Sequence, residues 1–221
     1  GWGIKWNSYT APNGTHALFA KAYDRAGNEA WSEKVSVAID NPLDAAPPAV
    51  SLSAPANNAL VHGAVAVSAS ARDDKGLARV EFYKDSDAQP FGIDTLTPFR
   101  VMLDTTALSD GSHALMAKAY DGQGNAATST ARLITADNTP PSASLDAPAA
   151  GAAVSGTLAI SASASDANGI AKVEFYLDNS VRVTTDAYAP YAYAWNTLYA
   201  AVGSHALFVK AYDKAGNIKT S

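Results

Sequence analysis

One sequence stretch occurs three times in this chain and constrains its architecture more than any other feature. It reads GTHALFAKAYDRAGN at residues 14–28, and close copies occupy residues 111–125 and 203–217. The copies start 97 and 92 residues apart, counting from Gly14 to Gly111 and from Gly111 to Gly203. This spacing is typical of one small β-domain, so the chain is predicted to be a tandem β-repeat.

The repeated stretch has the alternating pattern of a β-strand. Leu115, Ala117 and Ala119 fall on one side, and the residues between them fall on the other. A period of two predicts a strand with one buried face. The Asp-x-x-Gly-Asn that ends each copy contains residue types that form Asx turns or accept positive φ, which predicts a tight turn.

The repeat divides the 221 residues into three parts. Residues 1–45 contain the C-terminal half of a repeat (the half-repeat). Residues 46–139 form a complete repeat (repeat 2), and residues 140–221 form a repeat that lacks its last strand (repeat 3). The Pro-Pro segments within residues 40–50 and 137–141 predict short, stiff linkers.

Repeat 2 is predicted to be an immunoglobulin-like sandwich, and repeat 3 the same sandwich without its last strand. Seven short alternating strands with regularly spaced turns favour an all-β fold of tandem antiparallel β-sandwiches, truncated at both ends. In repeat 2, Val67, Val80 and Phe82 are expected to face the core. The third and sixth strands are neighbours in such a sandwich, so Glu81 is expected beside Lys118 as an ion pair.

The half-repeat presents a packing problem. Three strands with one apolar face are marginal alone, and Trp2, Ile4, Trp6 and Leu18 are all expected to point toward a core. Two explanations are open. The chain is a piece cut from a longer array, or another chain or repeat 3 completes the half-repeat through strand exchange.

Composition excludes several classes of function. The formal net charge is −5 and no basic cluster occurs, which argues against nucleic-acid binding. No apolar run is long enough for a membrane span. The chain has no Cys, so it has neither disulfides nor thiolate metal sites, as is compatible with bacterial secretion.

No catalytic motif emerges. His16, His113 and His205 occupy one repeat position, which favours a structural role over catalysis, and His62 lies in a predicted surface loop. Patterns such as Gly-x-Ser-x-Gly, His-Glu-x-x-His and the P-loop are missing from the sequence. The chain is therefore predicted not to be an enzyme, and this prediction leaves open that its parent protein is a secreted hydrolase.

Acidic residues are expected to converge at the joints between repeats. In an immunoglobulin-like sandwich the loop after the second strand, the turn after the sixth and the incoming linker share one end. Hard oxygen ligands in such a place suit Ca²⁺, which takes six to eight of them. The alternative is that each Asp caps its own turn. The candidate ligands are Asp40, Asp44, Asp73 and Asp121 at the first joint, and Asp137, Asp166 and Asp213 at the second.

Exposed aromatic side chains suggest a third possibility, glycan binding. Five Tyr are expected on outer sheet faces, where planar rings stack on sugars or pack against cross-strand neighbours. The segment 188–199 of repeat 3 also concentrates aromatic residues. The five are Tyr23, Tyr83, Tyr120, Tyr176 and Tyr212.

The motif string of each repeat resembles a known family. Ala69–Asp73, Gly76, Val80–Tyr83 and Gly111–Asn125 are similar to the bacterial Ig-like modules of secreted chitinases, other glycoside hydrolases, subtilisin-like proteases and surface adhesins. The resemblance implies an extracellular or cell-surface spacer or adhesive stalk, with neighbouring domains of the same polypeptide as its partners. It implies no shared catalytic residues. Leu103 departs from the pattern, because both other copies have Trp there.

Overall fold

The computed structural model describes residues 3–42, 44–178 and 181–221, and most of them form β-strands. These described residues contain short 3-10 helices at Ser8–Thr10, Thr105–Ala107 and Thr197–Tyr199. None of the helices in these ranges is long and apolar enough to cross a membrane.

The strands follow the three-part organisation of the sequence. In the half-repeat they are β1 (Gly14–Leu18), β2 (Lys21–Tyr23), β3 (Glu29–Trp31) and β4 (Val35–Ile39). In repeat 2 they are β5 (Ala49–Ala54), β6 (Ala59–Val61), β7 (Ala64–Arg72), β8 (Leu77–Lys84), β9 (Gly92–Asp94), β10 (Arg100–Asp104), β11 (Gly111–Asp121), β12 (Ala126–Thr128) and β13 (Arg132–Ala136). In repeat 3 they are β14 (Ser142–Ala147), β15 (Thr157–Ser165), β16 (Ile170–Leu177), β17 (Val181–Asp186), β18 (Tyr191–Asn196), β19 (Leu207–Asp213) and β20 (Ile218–Thr220).

These strands belong to two compact units. The first extends to Asn57 and includes Ala66–Leu103 and Ala114–Leu133. The second combines Asn58–Val65, Asp104–His113 and Ile134–Ser221. The division passes through repeat 2, and domain boundaries near residues 45 and 139 stay a prediction.

The first unit contains most of the core of repeat 2. β7 pairs with β5, and β11 pairs with β8, both antiparallel. Val67, Val80, Phe82 and Leu115 are completely buried, as their alternation predicts. The small Ala117 is also completely buried.

The second unit contains the core of repeat 3. β15 pairs with β14 and β18, while β16 pairs with β17 and β19, all antiparallel. The buried side chains of these strands form one apolar cluster: Ile160, Ala162, Val173, Phe175, Tyr191, Trp195, Val209 and Ala211. The sequence did not predict β6, which pairs with β13 in parallel in this unit.

The half-repeat differs from these sandwiches. Its copy of the signature stretch is divided into β1, which pairs with β4, and β2, which pairs with β3. The predicted inward orientation of Ile4, Trp6 and Leu18 is wrong, because these residues are 94%, 44% and 42% exposed. A strand buries a face only where a second sheet covers it. Trp2, which shared this prediction, lies outside the described residues.

Glu81 and Lys118 are cross-strand neighbours, as predicted, but they do not form the predicted ion pair. Glu81 lies directly opposite Lys118 in the register of β8 and β11. Its carboxylate instead accepts a hydrogen bond from Arg79 Nε on the same strand at 2.7 Å, and one from Tyr83 Oη at 2.6 Å. Glu81 is buried although it lies on the outer face of its sheet, and these two donors satisfy its carboxylate.

Candidate metal centres

Three acidic residues of the second unit converge at the start of repeat 3. Asp137 directly follows β13, Asp166 directly follows β15, and Asp213 ends β19. One carboxylate oxygen of each lies within 4.8 Å of the others. The structure therefore brings together the three residues that the sequence proposed for the second joint.

Backbone donors fix two of these carboxylates. Asp166 Oδ1 accepts hydrogen bonds from the amides of Asn168 (2.8 Å) and Gly169 (3.0 Å). Asp213 Oδ1 accepts one from the Asn217 amide (2.9 Å), and its Oδ2 accepts one from Asn217 Nδ2 (2.8 Å). Both residues therefore cap their own turns and also face the cluster.

Asp137 is the unusual member of the cluster. Its side chain is only 2% exposed, and its Oδ2 has no hydrogen-bond partner among the described residues. Burial, together with the negative charges of Asp166 and Asp213, raises the pKa of Asp137 above its ordinary value. A buried carboxylate oxygen without a donor is costly, and a cation between these carboxylates would remove that cost.

A second acidic cluster lies in the first unit, at the start of repeat 2. It contains Asp44, Asp73 and Asp74, again with one oxygen of each within 4.8 Å of the others. Asp73 Oδ1 accepts hydrogen bonds from the amides of Lys75 (2.9 Å) and Gly76 (3.0 Å). Asp44 Oδ2 is buried and has no partner among the described residues.

The cluster at the first joint, Asp44, Asp73 and Asp74, differs from the set of ligands that the sequence predicts there. Asp74 was not singled out, although the acidic pair Asp73-Asp74 was visible in the loop. Asp40 is exposed and lies outside the cluster. Asp121 is buried, but its Oδ1 bonds the amides of Gln123 (2.8 Å) and Asn125 (2.9 Å), and it is not a member.

Linker length explains why Asp40 lies outside the cluster. At the second joint Asp137 both directly follows the last strand of repeat 2 and precedes the Pro-Pro pair by three residues. At the first joint these two positions belong to different residues, Asp40 after β4 and Asp44 before Pro47. The residue three positions before Pro-Pro, not the one that follows the strand, joins the cluster.

An asparagine ties each linker to the repeat that follows it. Asn125 Nδ2 donates to the carbonyl oxygen of Asp44 at 2.8 Å. Asn217 Nδ2 donates to the carbonyl oxygen of Asp137 at 2.7 Å. The same turn position thus makes the same linker contact in both repeats, and we call this contact the linker clamp.

The repeated histidines have a structural contact rather than a catalytic setting. Nε2 of His16, His113 and His205 lies 2.8–2.9 Å from the carbonyl oxygen of the residue four positions earlier. His205 Nδ1 also bonds Asp178 Oδ2 at 2.8 Å. The Ala201 carbonyl and the Asp178 carboxylate raise the pKa of His205. His62 is exposed, as predicted.

The outer tyrosines of repeat 3 surround a buried carboxylate. Glu174 accepts hydrogen bonds from Tyr176 (2.7 Å), Tyr212 (2.9 Å), Lys172 (2.6 Å) and Arg182 (3.1 Å). Burial alone would raise the pKa of Glu174, but these four donors outweigh it and lower the pKa to about 2. This arrangement explains the repeated Val-Glu-Phe-Tyr sequence as a structural network.

Cationic side chains lie over the faces of outer tyrosine rings in repeats 2 and 3. Lys172 Nζ lies 4.2 Å from the centroid of the Tyr212 ring, and the Arg79 guanidinium lies 3.9 Å from that of Tyr120. Tyr83 and Tyr176 are half-buried, whereas Tyr23 of the half-repeat is exposed. Rings covered in this way are poor platforms for stacking on a sugar.

Comparison with known proteins identifies the family. The bacterial Ig domain matches residues 48–117 and 141–209, which together make up more than half of the chain. The chain belongs to the bacterial Ig domain family. The predicted resemblance and the all-β immunoglobulin-like fold are therefore confirmed. A comparison with curated proteins gives no match.

One solved structure agrees with the immunoglobulin-like fold. The chain is 26% identical to the fibronectin(III)-like modules of Clostridium thermocellum CbhA, with a TM-score of 0.53 over 78% of this chain and 90% of that one. An endo-β-1,4-mannanase from Thermotoga petrophila (18% identity, TM-score 0.35, 43% and 21% covered) and the FN1–FN3 domains of chicken CNTN1 (13%, 0.45, 91% and 73%) are more distant. With TM-scores below 0.5, these two add nothing to the assignment.

Proposed function

We propose that this chain is a non-catalytic spacer or stalk of Ig-like modules within a larger secreted or cell-surface bacterial protein. The observation that carries the proposal is the linker clamp, which repeats 2 and 3 both form. A spacer needs folded modules and defined joints, and one side-chain hydrogen bond from module to linker supplies such a joint. The family assignment supports this proposal, because Ig-like modules are generally not catalytic.

The spacer function predicts a defined distance across the second joint. The chain has no Cys, so Cys introduced at the exposed Asp87 and Lys219 can be spin-labelled selectively. We expect a narrow distance distribution that Asn217→Ala broadens, while Asn28→Ala, at the same turn position of the half-repeat, leaves it unchanged. A broad distribution in the unmodified chain would contradict a stiff spacer.

We also propose that calcium binds at the joints. The support is the convergence of three carboxylates at each joint, together with the unpartnered buried Oδ2 of Asp137. The carboxylates of Asp137, Asp166 and Asp213 would hold the ion as hard oxygen ligands, neutralising charge that burial makes unfavourable. Asp44, Asp73 and Asp74 would do the same at the first joint, from a more exposed position.

Calcium binding is tested by thermal unfolding with calcium and with EDTA. A ligand that binds only the folded state stabilises that state by about 2.7 kcal/mol when its concentration is about 100 times its dissociation constant. Calcium should therefore raise the Tm. Asp137→Asn should abolish the rise at the second joint, and the exposed Asp40→Asn should not. Equal Tm values in calcium and in EDTA would end the proposal.

The alternative function is adhesion, and one surface loop of repeat 3 favours it. Leu198, Tyr199 and Val202 lie within a five-residue segment, and all three are highly exposed. Tyr188 is also exposed, but it lies before β18 and these three lie after it. Retention on chitin or cellulose that Tyr199→Ala abolishes would support adhesion to glycans, and passage without retention would exclude these two ligands.

The exposed face of the half-repeat requires its own partner. Leu18 is the counterpart of Leu115, which repeat 2 buries completely. We propose that a segment built like Ala49–Lys84 covers this face, either in the same polypeptide or by strand exchange with another chain. A dimer in sedimentation velocity that Leu18→Asp dissociates would support exchange. A monomer at all concentrations would contradict exchange.

A further inference from the structure

A glycine in the turn of repeat 2 stands where both other copies have a long cation. Gly122 follows Asp121 in the Asp-x-x-Gly-Asn turn, and the equivalent residues are Arg25 and Lys214. Gly122 does not have a positive φ, whereas Gly124 of the same turn does. The turn itself therefore does not require glycine at position 122, and another constraint must be sought.

That constraint is the backbone of the half-repeat. A Cβ atom on Gly122 would overlap the carbonyl oxygen of Tyr9 and would lie 2.8 Å from the Cα of Thr10. A Cβ atom on Gly76 would likewise overlap Nδ2 of Asn7. Both glycines allow the 3-10 segment of the half-repeat to approach the loops of repeat 2 more closely than any side chain would permit.

Polar contacts fix the same approach. Asn7 Nδ2 donates a hydrogen bond to the carbonyl oxygen of Lys75 at 2.7 Å. Lys75 Nζ lies 5.1 Å from the centroid of the Tyr9 ring, within the range of a cation–π contact. Lys75, Gly76 and Gly122 thus form one surface, which we call the acceptor site.

Repeat 3 covers the corresponding position with its own side chain. Gly169 is the counterpart of Gly76, and a Cβ atom there would meet Lys214 Nζ at 3.2 Å and Cε at 3.3 Å. The Lys214 amide also donates to the Gly169 carbonyl at 2.9 Å. In repeat 2, where glycine replaces this lysine, Asn7 of the preceding module lies over Gly76 instead.

We infer that Gly122 makes repeat 2 a docking surface for the preceding module, whose Asn7–Thr10 segment occupies the acceptor site. The first joint is then fixed by direct contact between modules, in addition to the linker clamp. Repeat 3 has no equivalent glycine, so its Lys214 closes the same surface. This inference deepens the proposed spacer function, because it names the residue that sets the stiffness of one joint.

The test is Gly122→Lys in the full chain. Lysine is the natural residue of this turn in repeat 3, so the substitution is compatible with the turn, and calorimetry can verify that repeat 2 stays folded. Spin labels at Cys introduced at the exposed Glu33 and Asp87 report the first joint. We expect Gly122→Lys to abolish a narrow distance distribution, and Lys214→Gly to leave it unchanged.

The outcomes separate this inference from the spacer proposal. A narrow distribution that Gly122→Lys and Gly122→Ala both leave unchanged would overturn the acceptor site and leave the linker clamp intact. A distribution that is broad before any substitution would contradict a docked first joint. Loss of the narrow distribution at the first joint alone, with the second joint unaffected, would support the inference.

Discussion

The half-repeat and repeat 2 contain nearly the same signature stretch, yet the two copies have different structures. In repeat 2 the stretch is one continuous strand, β11, and Leu115 is completely buried. In the half-repeat it is divided into β1 and β2, and Leu18 is partly exposed. The difference shows that alternation specifies which face is apolar, while the opposite sheet decides whether that face is buried.

The largest difference between these regions should be in core truncation. Leu115→Ala removes a completely buried side chain and should destabilise repeat 2 by about 3–5 kcal/mol. Leu18→Ala removes a partly exposed one and should cost less than about 1 kcal/mol. Differential scanning calorimetry of the two variants compares the costs directly. Equal losses would show that the half-repeat has a core after all.

The buried Glu174 should make repeat 3 sensitive to acid in a way that the half-repeat is not. Its folded pKa of about 2 lies below the ordinary value of 4.5, so the folded state binds fewer protons between these pH values. The stabilisation is complete above pH 4.5 and is lost as the pH falls through the folded pKa. One unit of pKa shift corresponds to about 1.4 kcal/mol, so the stabilisation from Glu174 is on the order of 3 kcal/mol.

This pH dependence is measurable by urea unfolding of repeat 3 at pH 6 and at pH 3, with the buried Trp195 as the fluorescent reporter. Glu174→Gln should flatten it, because glutamine does not titrate. Tyr23, the half-repeat counterpart of Tyr212, is 64% exposed, and Tyr23→Phe serves as the control. An unchanged pH dependence in Glu174→Gln would show that other groups cause it.

A smaller effect is expected at the hydroxyl that opens each 3-10 helix. Thr105 is completely buried, and its Oγ1 donates to the Gly63 carbonyl at 2.8 Å. Thr105→Val removes this hydrogen bond, although the Gly63 carbonyl still accepts one from the Thr105 amide at 2.9 Å, and it should cost about 0.5–1.5 kcal/mol. Ser8, its half-buried counterpart, bonds Asn41 Oδ1 at 2.9 Å, and Ser8→Ala should cost less. Calorimetry of both variants ranks them, and the reverse order would contradict the burial argument.

Much of the candidate site could be predicted because it depends on local turns. Asp166 and Asp213 cap tight turns through the nearest backbone amides, and the fold family places those turns at one end of the sandwich. Asp137 is the residue directly after β13, so its position was predictable from that strand. The exclusion of Asp40 was not predictable, because it depends on the path of a linker that is longer at the first joint.

The sequence by itself determined the repeat, the strand periodicity, the apolar faces and the turns, because these depend on residues that are close together in the chain. Only the tertiary structure decided that Glu81 bonds Arg79 rather than Lys118, that Asn125 reaches the linker, and that Gly122 lies against Tyr9. The last two contacts join residues distant in sequence, the first is a choice between a same-strand and a cross-strand partner, and all three depend on how whole sheets and loops pack. The identity of a single residue does not specify that packing.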